Sequence, residues 1–159
     1  MIRVSIPGRG ELEIRHAVFD FNGTLATDGK MSAKTIEMMG LLKEQVNVHI
    51  LTSDTYGTVR SACQDLDVDL ETISSEKASG QKKHFVERYG ATHTCCVGNG
   101  VNDAEMFEAS ALAVMVIGEE GGSVKALQRA DIVVTKIEDA IGLLLNPWRP
   151  RRLRDRWGR

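Results

Sequence analysis

The feature that most limits how this chain can fold is a regular alternation of short apolar segments with longer amphipathic ones. The apolar segments have the length of strands and are rich in β-branched residues, whereas the segments between them space their apolar residues as helices do. This alternation predicts right-handed β–α–β units and an α/β fold, a doubly wound, mostly parallel Rossmann-like sheet with helices on both faces. The predicted strands are residues 17–21, 46–52, 68–74, 93–98, 111–117 and 131–135, and the predicted helices lie near 32–44, 56–66, 78–89, 102–109, 121–129 and 137–145.

Both ends of the chain depart from this pattern. Residues 1–15 alternate apolar and polar side chains around a Pro-Gly-Arg-Gly turn, which predicts an N-terminal β-hairpin. No linker interrupts residues 1–146, so we expect one domain there, followed by an Arg-rich tail at 147–159. The last twelve residues hold six Arg and one Asp, although the whole chain has a formal net charge of −2. A solvated tail, or one folded onto the acidic body, is the favoured interpretation, and nucleic acid is not the expected partner.

Composition also limits the expected membrane association and cellular location of the protein. No apolar run approaches the roughly 20 residues that span a bilayer, so we expect no membrane partner. The chain has three cysteines, of which Cys95 and Cys96 are adjacent on a predicted strand. An odd count with this placement argues against a disulfide framework and favours a reducing, cytoplasmic location.

Polar side chains follow at least three predicted strands at their carboxyl ends, where open α/β sheets bind ligands. The Asp20 carboxylate is a candidate nucleophile toward phosphorus and a candidate Mg²⁺ ligand. Asn99 or Asp103, after the fourth strand of the sheet, is a candidate to complete such a metal site. Thr52, after the second strand, offers a hydroxyl to a phosphoryl oxygen, and Lys82 offers positive charge to a transition state.

Each of these residues also has an ordinary explanation. Asn-Gly at 22–23 and at 99–100 is a turn signal, Ser53-Asp54 is a helix cap, and Lys82 is a solvated helix residue. Their joint occurrence at the same edge of one predicted sheet favours a site.

In their order along the chain, these segments resemble the four motifs of the haloacid dehalogenase (HAD) superfamily of phosphotransferases. "DFNGTL" at 20–25 resembles the Asp-x-Asp-x-Thr motif, Thr52 in "ILTSD" the second motif, Lys82 in "QKKHFVERYG" the third, and "GNGVND" at 98–103 the fourth. The resemblance covers residues 15–146. "ILTSD" and residues 98–134 are most similar to the phosphorylation domain of P-type ATPases, so the chain resembles the soluble P-type ATPase-like HAD phosphatases.

The resemblance implies a Mg²⁺-dependent phosphohydrolase or phosphotransferase that forms an aspartyl-phosphate on Asp20. Its substrate would be a phosphorylated small molecule or a nucleotide-like compound. Asp20, the carbonyl of Asn22 and the side chain of Asn99 would hold Mg²⁺, and Asp103 would support the water shell of the metal and Lys82.

The same resemblance implies a phosphate site. It would be formed by Gly23, Thr52, Ser53, Lys82 and Asn102. Lys82 is preferred to Lys83 or Lys77 because apolar residues follow it at the third and fourth positions, as they follow the family lysine.

Two residues depart from the family pattern. Asn22 stands where most phosphatases have an Asp general acid/base, a function typically worth about 10²–10⁴ in rate. Asn99 stands where a metal-binding Asp is expected, which removes one negative charge. We therefore expect slow turnover, a preference for good leaving groups and a raised Mg²⁺ requirement. The alternative is a phosphate-binding or regulatory module with little turnover.

Neither interval between the motifs has room for a cap domain. One helix and its loops fill the interval from Leu25 to Thr52, and a helix and a strand fill that from Thr52 to Lys82. The site is therefore expected to be open, acting on bulky substrates or closed by a second subunit of a homo-oligomer.

Overall fold

The computed structural model describes residues 1–6, 10–53 and 58–151. Its centre is a six-stranded, fully parallel sheet with the strand order β5-β4-β3-β6-β7-β8. The chain enters this sheet at its middle, builds one side, and returns past β3 to build the other. The strands of the sheet are β3 (His16–Asp20), β4 (Asn47–Thr52), β5 (Asp69–Thr72), β6 (Thr94–Gly98), β7 (Leu112–Val116) and β8 (Ile132–Val134).

Helices cover both faces of the sheet, as predicted. Successive residues of β3 point to opposite faces: Ala17 and Phe19 belong to one buried apolar cluster and Val18 to the other. The first cluster includes residues of α1, α2 and α6, and the second includes residues of α3, α4 and α5. The helices are α1 (Ala33–Lys43), α2 (Thr58–Ala62), α3 (Ala78–Tyr89), α4 (Ala104–Ala109), α5 (Val124–Leu127), α6 (Ile137–Leu145) and α7 (Trp148–Arg151).

The predicted N-terminal hairpin is present as a separate antiparallel pair, β1 (Ile2–Ile6) and β2 (Gly10–Ile14). Its side chains Ile2, Val4 and Ile14 are buried in the first apolar cluster, so the hairpin packs on the main body without joining the central sheet. The turn at 7–9 lies outside the described residues, as do Asp54 and the part of the Arg-rich tail beyond residue 151.

Several predicted helices are shorter in the structure than in the sequence analysis. The helix predicted near 56–66 spans only Thr58–Ala62 within the described residues. Residues 101–103 form a 3-10 turn before α4 because the Asp103 side chain accepts hydrogen bonds from the backbone N–H groups of Asn99 and Gly100. The helix predicted at 121–129 spans only Val124–Leu127, since Gly118 and Gly121 pair in a turn ahead of it. Of the helices in the described part of the chain, none is long and apolar enough to cross a membrane.

Candidate active site

The candidate site lies where β3 and β6 are neighbours, at the point where the chain switches from one side of the sheet to the other. Asp20 is the last residue of β3 and Gly98 the last of β6. Loops after two such strands leave in opposite directions and open a crevice at the carboxyl edge. The sequence motifs therefore meet at the usual ligand position of this architecture.

A buried lysine joins the motifs. Lys82 is fully buried, and its Nζ lies 2.6 Å from Asp20 Oδ1 and 2.6 Å from Asp103 Oδ1. Helix α3 directs this side chain inward because Ala78, Lys82 and Val86, spaced by four residues, form its buried face. Lys83 and Lys77 are exposed, so Lys82 is the lysine that contacts Asp20.

The Asp103 carboxylate binds the backbone of the loop after β6 as well as the Lys82 side chain. Its Oδ2 accepts hydrogen bonds from Asn99 N at 2.9 Å and Gly100 N at 2.8 Å. A Cβ atom on Gly98 would lie 2.5 Å from this carboxylate, so only glycine allows the carboxylate to come this close. The Asp103 carboxylate is thus fully buried and used on both oxygens.

Thr24 connects Asp20 to Asn99. Its hydroxyl lies 3.3 Å from Asp20 Oδ2 and 3.0 Å from Asn99 Oδ1, and its single proton can be donated to one of them at a time. The Asn99 amide donates in turn to the carbonyl oxygen of Gly121, in the loop after β7. Asn99 is therefore held between the loop after β3 and the loop after β7.

The charges of this cluster shift the protonation of its members. Burial and the neighbouring Asp103 carboxylate raise the pKa of Asp20 to about 7, although Lys82 opposes the rise. Burial alone would lower the pKa of Lys82, but the two carboxylates outweigh it and raise the pKa above its ordinary value. Lys82 therefore carries a proton at neutral pH, and a cation beside Asp20 would favour the ionised carboxylate.

The loop after Asp20 brings its backbone close to the cluster. Gly23 has a positive φ of 75°, and a Cβ atom there would lie 2.4 Å from Asn99 Nδ2. The neighbouring Asn22 side chain is exposed, and no hydrogen bond to the Asn22 carbonyl is found within the described residues. Asn22 therefore offers a free carbonyl oxygen and an amide that is not held in place.

The donor set fits a hard, oxygen-binding cation. The described part of the chain contains no cluster of three or more His, Cys, Asp or Glu side chains placed to hold a metal. Mg²⁺, however, takes carbonyl and amide oxygens and water together with one or two carboxylates. The Asp20 carboxylate, the Asn22 carbonyl and the Asn99 amide oxygen supply such a set, with a low total negative charge.

The remaining predicted phosphate ligands lie at the same edge with less definite contacts. Thr52 is buried at the end of β4, one residue beyond Leu51, the register partner of Asp20. Ser53 and Asn102 are half-buried, and neither is hydrogen-bonded to Asp20 or Lys82 among the described residues.

A cavity of about 620 Å³ opens beside Gly23 and Thr24 and extends to the carboxyl ends of β7 and β8. Lys30, Lys34 and Lys136 are among its lining residues. No catalytic or binding residue was predicted from the sequence in this cavity's lysines or in the loop after β7. The only signal was the glycine-rich stretch at 118–122 that follows a strand.

The chain was compared with curated proteins and with protein-family models. It is 37% identical to an uncharacterized protein of Methanocaldococcus jannaschii over 81 residues, which are 50% of this chain and 87% of that protein. It is 28% identical to a soluble P-type ATPase-like phosphatase of the same organism over 76% of this chain and 45% of the phosphatase. The chain thus spans less than half of that phosphatase. No protein-family model matches the chain.

Solved structures share the fold at low identity. A cobalt-bound deoxy-D-mannose-octulosonate 8-phosphate phosphatase from Haemophilus influenzae superposes with a TM-score of 0.72 at 16% identity, covering 85% of this chain and 89% of the other. The corresponding phosphatase from Moraxella catarrhalis, crystallised with magnesium, phosphate and KDO, gives 0.71 at 14% identity, covering 91% and 93%. Other structures with the same fold are described as HAD-family hydrolases.

Proposed function

We propose that the chain is a phosphohydrolase acting through an aspartyl-phosphate on Asp20, because it shares its fold with structures described as HAD-family hydrolases. No cap domain interrupts the sheet within the described residues 10–53 and 58–151. The observation that carries this proposal is the position of Lys82, fully buried and 2.6 Å from both Asp20 and Asp103 at the switch point of the sheet. Ligands of open α/β sheets bind in the crevice at this switch point, so a cation is held beside Asp20 where a phosphoryl group would enter.

In the proposed reaction, an Asp20 carboxylate oxygen attacks phosphorus and forms a new O–P bond. The bond from phosphorus to the leaving group breaks, and the leaving group keeps the electron pair. A water molecule then attacks phosphorus, the bond between phosphorus and the Asp20 oxygen breaks, and the carboxylate keeps the electron pair. The proton of the attacking water passes to the released phosphate or to solvent. Lys82 holds Asp20 Oδ1 and Thr24 lies at Oδ2, so both oxygens are oriented before substrate arrives.

We propose Mg²⁺ as the cofactor, held by Asp20, the Asn22 carbonyl and the Asn99 side chain, with Asp103 positioning Lys82. The cation supplies positive charge that neutralises the phosphoryl oxygens. Gly23, Thr52, Ser53 and Asn102 complete the proposed phosphate site from the same edge.

Asn22 determines which substrates the enzyme can use at a practical rate. Its exposed amide has no acidic proton to give to a departing oxygen, so the leaving group has to be stable as an anion. We therefore propose slow turnover that favours acyl and aryl phosphates over alkyl phosphates. The natural substrate is proposed to be a phosphorylated small molecule whose leaving group enters the cavity beside Gly23 and Thr24. The charged residues that line this cavity are of both signs: Lys30, Lys34, Lys136, Glu119, Glu138 and Asp139. The three buried, unpaired cysteines are consistent with a reducing, cytoplasmic setting.

The test is hydrolysis of acetyl phosphate and p-nitrophenyl phosphate with Mg²⁺, comparing the wild type with Asp20→Asn. Asp65→Asn is a matched control, because Asp65 is an exposed carboxylate in the connection between the end of α2 and the start of β5. We expect Asp20→Asn to abolish release of phosphate and Asp65→Asn to leave it unchanged. Equal activity of Asp20→Asn and the wild type would remove Asp20 as the nucleophile.

A second candidate function follows from the same exposed Asn22. Without an acid/base at this position, the aspartyl-phosphate can persist, and the protein would act as a phosphate-binding or regulatory module. Labelling with ³²P-acetyl phosphate distinguishes the two functions. Label that remains on Asp20 for hours supports the module, whereas label that is lost within seconds and reappears as phosphate supports the phosphatase.

A further inference from the structure

The proposed cation site has one negative charge fewer than a site with aspartate at position 99, because Asn99 contributes a neutral amide. When all three side chains joined at Lys82 are ionised, as with a cation bound, Asp20 and Asp103 carry two negative charges and Lys82 one positive charge. A divalent cation would therefore give this cluster an excess of positive charge. A further carboxylate close to Asn99 would balance it.

Glu120 places a carboxylate at that position. A Cβ atom built on Gly23 would lie 2.4 Å from Asn99 Nδ2 and 3.1 Å from Glu120 Oε2. Both side chains therefore border one point beside Gly23. The residue after Glu120 makes a second connection, because the Gly121 carbonyl accepts the hydrogen bond from the Asn99 amide at 3.3 Å.

The other Glu120 oxygen is held in place. Glu120 Oε1 accepts a hydrogen bond of 2.9 Å from the backbone N–H of Asp28, at the far end of the loop that begins with Asn22. Asp28 has a positive φ of 50°, which is uncommon outside glycine. The side chain of Glu120 thus spans the loops after β3 and β7 with one oxygen, and keeps the second oxygen beside Gly23 and Asn99.

We propose that Glu120 supplies the negative charge that Asn99 lacks, as an outer carboxylate of the divalent-cation site formed by Asp20, the Asn22 carbonyl and Asn99. This inference rests on the proposed function, since it assumes a cation at Asp20. No sequence motif places an acid at position 120. The carboxylate becomes part of the site only because the loop after β7 folds against Gly23.

The decisive variant is Glu120→Gln. The glutamine amide oxygen can still accept the hydrogen bond from Asp28, so the connection between the loops is kept and only the charge is removed. Loss of one nearby, solvent-screened charge is expected to weaken Mg²⁺ binding about fivefold to tenfold in low salt, and less as the salt concentration rises. Calorimetry with Mg²⁺ and electron paramagnetic resonance with Mn²⁺ both measure this without substrate.

Two further variants separate this proposal from a general charge effect. Glu119→Gln removes the adjacent exposed carboxylate, which makes no hydrogen bond among the described residues, and should leave the Mg²⁺ affinity within about twofold of the wild type. The double variant Asn99→Asp/Glu120→Gln moves the charge from one side chain to the other. It should return the affinity to within about threefold of the wild type, since the total charge at the site is unchanged.

The outcomes distinguish the two proposals. If the wild type binds Mg²⁺ and Glu120→Gln binds it equally well, Glu120 has no such function and the proposed phosphatase stands. A double variant that remains as weak as Glu120→Gln also overturns the inference, because the charge would not be exchangeable between the two positions. If the wild type binds neither Mg²⁺ nor Mn²⁺, the proposed metal-dependent function itself fails.

Discussion

Replacing Lys82 by Met should destabilise the protein in a manner that depends on pH. Methionine keeps the apolar volume of the lysine stem and removes its charge, so two buried carboxylates face each other without a cation between them. Removing one partner of a buried ion pair typically costs about 3–5 kcal/mol. We expect a loss in this range near neutral pH.

The dependence on pH follows from the cost of protonating one further buried carboxyl. With an unperturbed aspartate pKa of 3.8, proton uptake on folding costs about 1.4 kcal/mol per pH unit above that value. The loss of stability caused by protonating one carboxyl on folding is therefore at most about 5 kcal/mol near pH 7.5 and about 1.6 kcal/mol near pH 5. The penalty of Lys82→Met should therefore fall below about 2 kcal/mol on acidification. In the wild type, burial already raises the pKa of Asp20 to about 7. Part of the free-energy cost of burying this carboxylate is therefore already present in the wild-type stability.

Urea unfolding at the two pH values, without added metal, measures this difference. Lys83→Met is the matched control, because Lys83 is the next residue on α3 and is exposed; it should change the stability by less than about 0.5 kcal/mol. The double variant Lys82→Met/Asp20→Asn should recover part of the loss, since it leaves a single buried carboxylate. A loss under about 1 kcal/mol near pH 7.5, or an equal loss at both pH values, would refute the electrostatic account.

Two further variants test the loop after β3. Asn22→Asp adds an acid at an exposed position, so it should accelerate hydrolysis of alkyl phosphates about 10- to 1,000-fold, and acetyl phosphate much less, in a steady-state phosphate-release assay. No acceleration in a variant that still binds Mg²⁺ would contradict the role assigned to residue 22. Gly23→Ala should lower the free energy of unfolding by about 1–3 kcal/mol in urea unfolding. The backbone φ at residue 23 is 75°, and the new Cβ would lie 2.4 Å from Asn99 Nδ2. A variant as stable as the wild type would show that the loop relaxes freely.

The architecture could be predicted from the sequence because the lengths of the segments, the spacing of their apolar residues and the residues at their ends all indicated the same alternation of strands and helices. Strands such as Leu112–Val116 are apolar throughout, as strands buried on both faces must be. The end of each strand was marked by a change to polar or glycine residues, so predicted and observed boundaries differ by one or two residues for the strands of the sheet. The helices were less accurate: the one predicted at 56–66 spans only Thr58–Ala62, and at 121–129 the loop after β7 contacts Asn99 and Gly23 and replaces the first helical turn.

The site could be predicted only in part, because its contacts join segments that are distant in sequence. The apolar residues at the third and fourth positions after Lys82 already favoured it over Lys83 and Lys77, and the structure adds that Ala78 and Val86 share its buried face. The contact of Glu120 with the loop after β3 connects residues 92 positions apart and has no sequence signal. Such a contact depends on the paths that the two loops take from the edge of the sheet, and these paths are a property of the folded structure alone.

The structure also places Asn22 and Asn99, the two departures from the resembled motif pattern, in different surroundings. Asn22 is exposed and makes no hydrogen bond among the described residues, so an acid at position 22 changes the chemistry without disturbing the packing. Asn99 uses both ends of its amide, one toward Thr24 and the other toward the Gly121 carbonyl. An aspartate at position 99 would direct a carboxylate oxygen at that carbonyl and face Glu120 across Gly23. The neutral amide at position 99 is therefore matched to its neighbours, and removing the Glu120 carboxylate would relieve only one of the two repulsions that an aspartate would meet there.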